Sequence, residues 1–421
     1  RRHAECYAPP GFRRGTRTFF GDGGELACMS GRVEYEPASV KDLLAEMKDT
    51  AELLIDLSYS AVLHHSDAIA EEVLSLEERM DVLQIRARMS LLLAARNPED
   101  AESLAPVLGI TGAAEKVSDA AGDIAKIVLE DIGLPADMRA SLPVAVETLV
   151  RADLTSDSPY AGRTLGDINL ETETGVRVIA IRRGGDWVLN PSAETAVESG
   201  DVLLLRGPES GIASVYDRAS GEPYEPPTIP EVEDADLDRA VSSLVLMKNM
   251  SELAIDLAYG SVLYDSDPLA EEVVELEAEV DALKSRFEAW ILRAAGRSTD
   301  PVSLRGLVHI AQSTEVISDA ALEISEGVLR GLDSHVVVQE AVEESDEVIT
   351  RVAVEPGSAL DGTTLGERAV KTETGMRVTA VRRPVEGGDE WEVQPGPNTE
   401  LRAGDVLLAN GTRSGAEILE R

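Results

Sequence analysis

The sequence predicts an α+β multidomain protein built as a tandem duplication, in which two three-helix bundles alternate with two small α+β domains. Three observations predict it. Thr172-Glu173-Thr174-Gly175, followed by Arg177-Val178 and Arg182-Arg183, recurs as Thr372-Glu373-Thr374-Gly375, Arg377-Val378 and Arg382-Arg383, an offset of 200 (372 − 172 = 200) that also relates Glu52-Leu53 to Glu252-Leu253. Each copy opens with apolar residues at helical spacing. Each then closes with short β-type runs bounded by glycine turns.

Residues 1–28 lie outside the repeat, are rich in Arg and Gly, and hold both cysteines, Cys6 and Cys28. They read as a non-native or disordered extension, with Met29 as the expected initiator. The first bundle is expected over 36–135. Its stripes are Leu44, Met47, Ala51 and Leu54; then Ile69, Val73, Leu76, Met80 and Leu83 behind a Ser66-Asp67 N-cap; then Val117, Ala121, Ile124 and Val128 after the break at Asn97-Pro98. Leu269, Val273, Leu276, Val280 and Leu283 repeat the second stripe, and Ile317, Ala321, Ile324 and Val328 the third, which places the second bundle over 237–333. Helices so patterned and so closely connected bury their stripes against one another.

The first α+β domain is expected over 141–217. Val144-Ala145-Val146 and Leu149-Val150 read as a strand, and Thr164 to Ile168 as a short helix. A strand follows Gly175, with Val176, Val178 and Ala180 on one face and Arg177, Ile179, Ile181 and Arg183 on the other. Gly184-Gly185-Asp186 turns it into a hairpin through Trp187, and Val202 to Leu205 forms the last strand. Residues 218–236 are the linker, and 336–421 the second α+β domain. There Trp391 matches Trp187 at an offset of 204 (391 − 187 = 204), so its hairpin is four residues longer, between Pro384 and Asp389, in an expected surface loop.

Composition narrows the function classes. Asp and Glu number 78 against 39 Lys and Arg, a net charge of −39. Such a surface suits the cytosol of a halophile, where molar salt shortens the Debye length to ~3 Å. It repels nucleic acid, so none is expected as a partner. No apolar run approaches the ~18 residues of a membrane span, and a cytoplasmic location is expected. Neither a phosphate-binding glycine loop nor a Ser/His/Asp or Cys/His assembly is present, and no enzyme is expected.

Two polar patterns carry candidate chemistry. Glu-x-x-x-Asp places two carboxylates on one helix face, a spacing that suits a hard cation or iron. Glu77/Asp81, Glu115/Asp119, Glu277/Asp281 and Glu315/Asp319 are the candidate metal pairs; the spacing also occurs at Glu52/Asp56 and Glu252/Asp256. A solvated acidic face explains the same pattern. The second is the arginine set at the repeated strand, Arg177, Arg182 and Arg183 with Arg377, Arg382 and Arg383, flanked by Ile179, Asn190-Pro191 and Pro395. Guanidinium groups beside an apolar face are candidate clamps for a phosphate or nucleotide. An ion pair with nearby Glu171 or Glu173 is the alternative.

Thr164-Leu165-Gly166, the Gly175 to Arg183 strand, Asn190-Pro191 and Gly200-Asp201-Val202-Leu203, with their counterparts around Gly366, Gly375, Pro395 and Gly404-Asp405, resemble the TrkA C-terminal domain, also called RCK-C. Asp67, Glu71-Glu72-Val73, Glu77 and Asp81, together with Glu115 to Ala120, resemble a PhoU-type bundle. The resemblance implies a haloarchaeal-type cytosolic regulator of potassium or cation transport, acting on a membrane channel or antiporter and reaching the membrane periphery through that partner. It implies cyclic di-AMP as a candidate ligand on the arginine set, and a homodimer or an intrachain pseudo-dimer of TrkA-C units. The PhoU side implies a competing role, a metal-holding adaptor of phosphate uptake with iron or another divalent ion on the carboxylate pairs. The NAD-binding unit that often accompanies TrkA-C domains, with its glycine fingerprint, is absent from the sequence.

Overall fold

A computed structural model describes residues 39–134, 148–189, 191–226, 234–331, 347–385, 388–393 and 395–419. The expectations for residues 1–28 and for a strand at Val144 to Val146 fall outside them. In chain order the first copy comprises α1 (Val40–His64), α2 (Asp67–Ala94), α3 (Pro98–Leu129), β1 (Thr148–Asp153), β2 (Arg163–Thr164), α4 (Leu165–Ile168), α5 (Leu170–Thr174), β3 (Arg177–Arg183), β4 (Asp186–Leu189), β5 (Ala196–Val197), β6 (Val202–Gly207) and α6 (Glu209–Ser220). The second comprises α7 (Ala235–Leu263), α8 (Asp267–Arg297), α9 (Arg305–Leu329), β7 (Glu347–Ala353), α10 (Val370–Thr374), β8 (Arg377–Val385), β9 (Gly388–Val393), β10 (Val406–Thr412) and α11 (Arg413–Leu419).

The stripes read from sequence are the cores of the bundles. Ile69, Val73, Leu76, Met80 and Leu83 are all buried, as are Val117, Ala121, Ile124 and Val128 and the matching residues of the second copy. Ser66 caps α2 by accepting a hydrogen bond from the Ile69 amide, and Asn97 caps α3 through the Asp100 amide. The two bundles share one apolar core, because α3 lies directly on α9. Close approach is possible at Gly327, where a Cβ would stand 2.6 Å from the ring of Pro106. At the other end Gly306 donates its amide to the Gly133 carbonyl at 2.9 Å.

Each α+β domain is a four-stranded antiparallel sheet, ordered β1-β6-β3-β4 in the first copy and β7-β10-β8-β9 in the second. One face of the first sheet, with Leu149, Ala180, Trp187 and Leu204, joins the helical core; the other, with Val150, Ile181, Leu203 and Leu205, packs on Ile212 and Val215 of α6. Each sheet contacts the helices of its own copy, so the intrachain pseudo-symmetry is made by the bundles. The added residues of the second hairpin lengthen β8 and β9, where sequence suggested a loop.

The expected alternation along β3 is corrected at its centre. The register between β3 and β6 shifts between Val178 and Ala180, a bulge at Ile179, and the same shift occurs in β8 at Thr379. An extra residue on one strand inverts the facing of everything after it. Ala180 therefore faces the bundle instead of sharing a side with Val178, and Ile181 enters the domain's own core. Arg177 and Arg182 come to lie on the bundle face, whereas Arg183 lies on the opposite one.

Candidate functional site: a carboxylate clasp between sheet and bundle

Glu72 belongs to the polar side of the second stripe, yet only 3% of it is exposed. Its carboxylate sits under the sheet between two arginines. Arg182 Nη2 donates to Oε1 at 2.6 Å while Arg182 Nε lies 2.5 Å from Oε2, and Arg151 Nε donates to Oε1 at 3.1 Å. Arg151 also donates to Asp153 at 2.6 Å. The second copy repeats the arrangement: Arg382 Nη2 and Nε reach Glu272 at 2.6 and 2.7 Å, Arg351 Nε at 2.7 Å, and Arg382 also holds Asp389 at 2.6 Å. The hydrogen bonds that Arg382 donates to Glu272, and then to Asp389, push its guanidinium further up in pKa. Each clasp is an arginine fork of the kind that recognises carboxylate or phosphate, already occupied by the protein's own glutamate, with both hydrogen bonds formed at Glu272 and one, beside a close ion pair, at Glu72.

Arg183 and Arg383 do different work. Arg183 Nε and Nη2 each donate to Asp201 at 2.8 Å, and the Asp201 carboxylate, 1% exposed, also accepts the Glu198 amide at 2.7 Å. Arg383 holds Asp405 in the same way, at 2.9 and 2.7 Å. These pairs lock the turn before the last strand of each sheet. The ion-pair alternative thus takes more distant partners than Glu171 or Glu173: Glu72 and Asp201, brought in by the fold. Arg177 and Arg377 are exposed, Ile179 is the bulge residue against the bundle, and Pro191 and Pro395 are half-buried beyond the hairpins. Asn190 lies outside the described residues.

The candidate metal pairs face one another along α2/α3 and α8/α9. Burial raises the pKa of Glu77, helped by the charges of Asp119 and Asp81; Asp119 is raised by burial and then by Glu115. Glu277 and Asp319 are raised by burial and by the same neighbours one copy on. Asp81 and Asp281 are exposed. Glu115 is engaged by Gln84 and Arg88, and Glu315 by Lys284 and Gln312. Among the described residues no three His, Cys, Asp or Glu side chains converge as a metal-holding group. Glu52, Asp56 and Glu252 are neutralised by Lys48, Arg206 and Lys248 and are not metal pairs.

Comparison with known families accounts for the alternation. The family described as PhoU domain matches residues 44–128 and 244–328, and the TrkA-C domain matches 149–220 and 349–421. The chain belongs to the tandem PhoU and TrkA-C proteins. Among relatives, the uncharacterized protein YrvC of Bacillus subtilis (strain 168) is 41% identical over 13% of this chain and 34% of its own length. Ktr system potassium uptake protein C of the same strain is 28% identical over 14% of this chain and 28% of its length. The chain therefore spans about a third of the curated relatives it matches. The solved RCK_C domain dimer of S. agalactiae BusR in complex with c-di-AMP is 25% identical, with a TM-score of 0.16, covering 16% of this chain and 88% of that one.

A cavity of about 630 Å³ opens beside the clasp of the first TrkA-C domain, bounded by His64 and Ser66 from the PhoU side, Leu149 to Arg151 of the edge strand, and Tyr216 and Tyr224. The tyrosine rings lie 5.7 Å apart, and burial, with Glu209 close by, raises the Tyr224 hydroxyl in pKa. At the matching positions the second copy has Tyr264 for His64 and Glu420 for Tyr216. The clasp was missed from sequence because Glu72 and Arg182 stand 110 residues apart. The one available signal was that Glu72, Arg151 and Arg182 all recur, as Glu272, Arg351 and Arg382. No helix among the described residues is long and apolar enough to cross a membrane.

Proposed function

We propose that the protein is a cytoplasmic, non-enzymatic regulator of potassium or other cation transport, in which a small anionic ligand acts on the TrkA-C domains and the response passes to the PhoU bundles through the clasps. The observation that carries this is the doubled Glu72 and Glu272 clasp: a TrkA-C sheet cannot tilt on its bundle without breaking the charge-assisted hydrogen bonds there, two at Glu72 and three at Glu272. A ligand therefore shifts the equilibrium if it binds the tilted state better, for example by drawing Arg151 from Glu72 at the cavity wall. The potassium reading draws on the domain pair and on the Ktr relative. The target is a membrane channel or antiporter, and two copies of the chain supply the TrkA-C pairing that the intrachain arrangement leaves to the bundles.

Cyclic di-AMP is the ligand to test, by isothermal titration in molar KCl, which screens the acidic surface. Saturable binding is expected, with amide exchange rising at the Glu72 and Glu272 helices on saturation. Arg177→Ala with Arg377→Ala, both on exposed positions, is expected to weaken binding at least tenfold while leaving the protein folded. Folded protein that takes up no ligand, or binding that leaves both clasps unchanged, would sink this reading. The facing carboxylates of the PhoU domains favour a second reading, a metal-holding adaptor of phosphate uptake, and elemental analysis of chelator-free protein decides it.

A further inference from the structure

The cavity beside the first clasp is walled on one side by the segment that leads out of the first copy. Beyond α6, Glu222 to Glu225 come back to the cavity, held there because the Ser220 hydroxyl accepts the Glu222 amide at 3.1 Å and the Asp217 carboxylate accepts the Tyr224 amide at 2.9 Å. The other wall is the end of α1, the start of α2 and Arg151 of β1. The charge of Arg151 is already answered, since Glu72 takes its Nε and Asp153 its Nη1. What is left for a ligand to meet is acidic and aromatic: the exposed Glu222 and Glu225, the paired rings of Tyr216 and Tyr224, and the buried, apolar Ile69 and Leu149. The Tyr224 hydroxyl is buried without a hydrogen-bond partner among the described residues, a bond that a ligand can supply. The second copy closes the same seam. Tyr264 stands there in place of His64, partly buried against both the helical core and the core of its own TrkA-C domain, and Glu420 replaces Tyr216.

We propose that this cavity binds a small organic ammonium ion, once per chain, with the charge against the tyrosine rings and the two glutamates and the apolar body against Ile69 and Leu149. An aromatic face attracts a cation through its quadrupole, most strongly where both are withdrawn from water. The volume, about 630 Å³, lies in the range of small-molecule sites. The net charge of −39 gathers cations at the surface in any case. An anion at the same wall has to draw Arg151 from Glu72 and Asp153 and still face Glu222 and Glu225. The wall as built selects the opposite charge. A guanidinium released from Glu72 would repel the bound cation, so the cation favours the closed clasp, the state that the anionic ligand of the proposed function opens.

The test titrates the full chain with choline in molar KCl, where the diffuse attraction of the acidic surface is screened and contact at a site remains. Saturable binding of one choline per chain is expected. Its neutral isostere, with a tert-butyl group in place of trimethylammonium, should bind about tenfold more weakly, and Tyr224→Leu should weaken choline by about the same factor. His64→Tyr installs the residue that the second copy already carries at this position and should abolish binding. That variant keeps the test informative if Tyr224→Leu folds poorly. Folded wild type that takes up no choline, equal affinity for the neutral isostere, or undiminished affinity in folded His64→Tyr would each overturn the proposal. Choline is titrated alone, so the result stands whether or not cyclic di-AMP acts on the protein.

Discussion

The two copies repeat the clasps that join sheet to bundle but not every contact around them. Glu72, Arg151 and Arg182 have the same partners as Glu272, Arg351 and Arg382. Arg206, Thr314 and Gly122, by contrast, are matched by Asn410, Ala114 and Leu322. Once a chain is duplicated, each contact within a copy exists twice and a change in either is felt by that copy alone. Contacts between copies join one residue from each, so a change on either side alters one of the two equivalent contacts and spares the other: Tyr59 bonds to Thr314, whereas Tyr259 has Ala114 at the matching position. The repeated clasps thus point to a task both TrkA-C domains perform.

Removing a clasp carboxylate should have the largest effect. Glu72→Ala leaves two partly buried guanidinium groups facing an apolar helix, and breaking such a pair from one side costs about 3 kcal/mol. Glu272→Ala should cost the same within about 1 kcal/mol, since its geometry repeats that of Glu72. Denaturant unfolding of each variant checks the equality. A cost confined to one copy would mean that the shared geometry hides unequal work.

The turn locks come next, and here the copies should separate. Arg183→Ala strands the buried Asp201 carboxylate and Arg383→Ala strands Asp405. The side chain of Arg183 is 38% exposed and that of Arg383 20%, so water already screens the first pair more. About 2 kcal/mol is expected for Arg183→Ala and about 3 kcal/mol for Arg383→Ala, also by denaturant unfolding. Equal costs, or the reverse order, would show that exposure does not set the difference.

What could be read from sequence follows the range of the interaction. The helical stripes and the Gly175 and Gly375 turns are local signals, and they placed the bundles and the strands that follow. The bulge at Ile179 is a property of pairing with β6, and neither the Arg182-Arg183 run nor the Val178-Ile179-Ala180 alternation announces it. The ion-pair partners of the arginines are not legible in the same way: proximity along the chain suggests Glu171 or Glu173, whereas Glu72 and Asp201 are brought to Arg182 and Arg183 only by the fold.

The smallest effect is expected at Gly122, where the comparison bears on the metal reading. A Cβ built there would stand 2.3 Å from Glu77 Oε2, so the carboxylate of the first copy lies directly over the glycine. Leu322 occupies that position in the second copy, and Glu277 is accommodated beside it. Gly122→Ala must move the Glu77 carboxylate, but only the end of a flexible side chain. With Glu77 free to turn outward, relief of its burial adds to the better helix propensity of alanine, and stability should rise by about 0.5–1 kcal/mol. If Glu77 were instead fixed by a bound cation shared with Asp119, displacing it would release that ion and the same substitution would be destabilising. Thermal unfolding of Gly122→Ala, set beside elemental analysis of the wild type, therefore separates a solvated acidic face from a metal-holding one: a stabilised variant with no metal in the parent supports the first, and a destabilised one that loses stoichiometric iron supports the second.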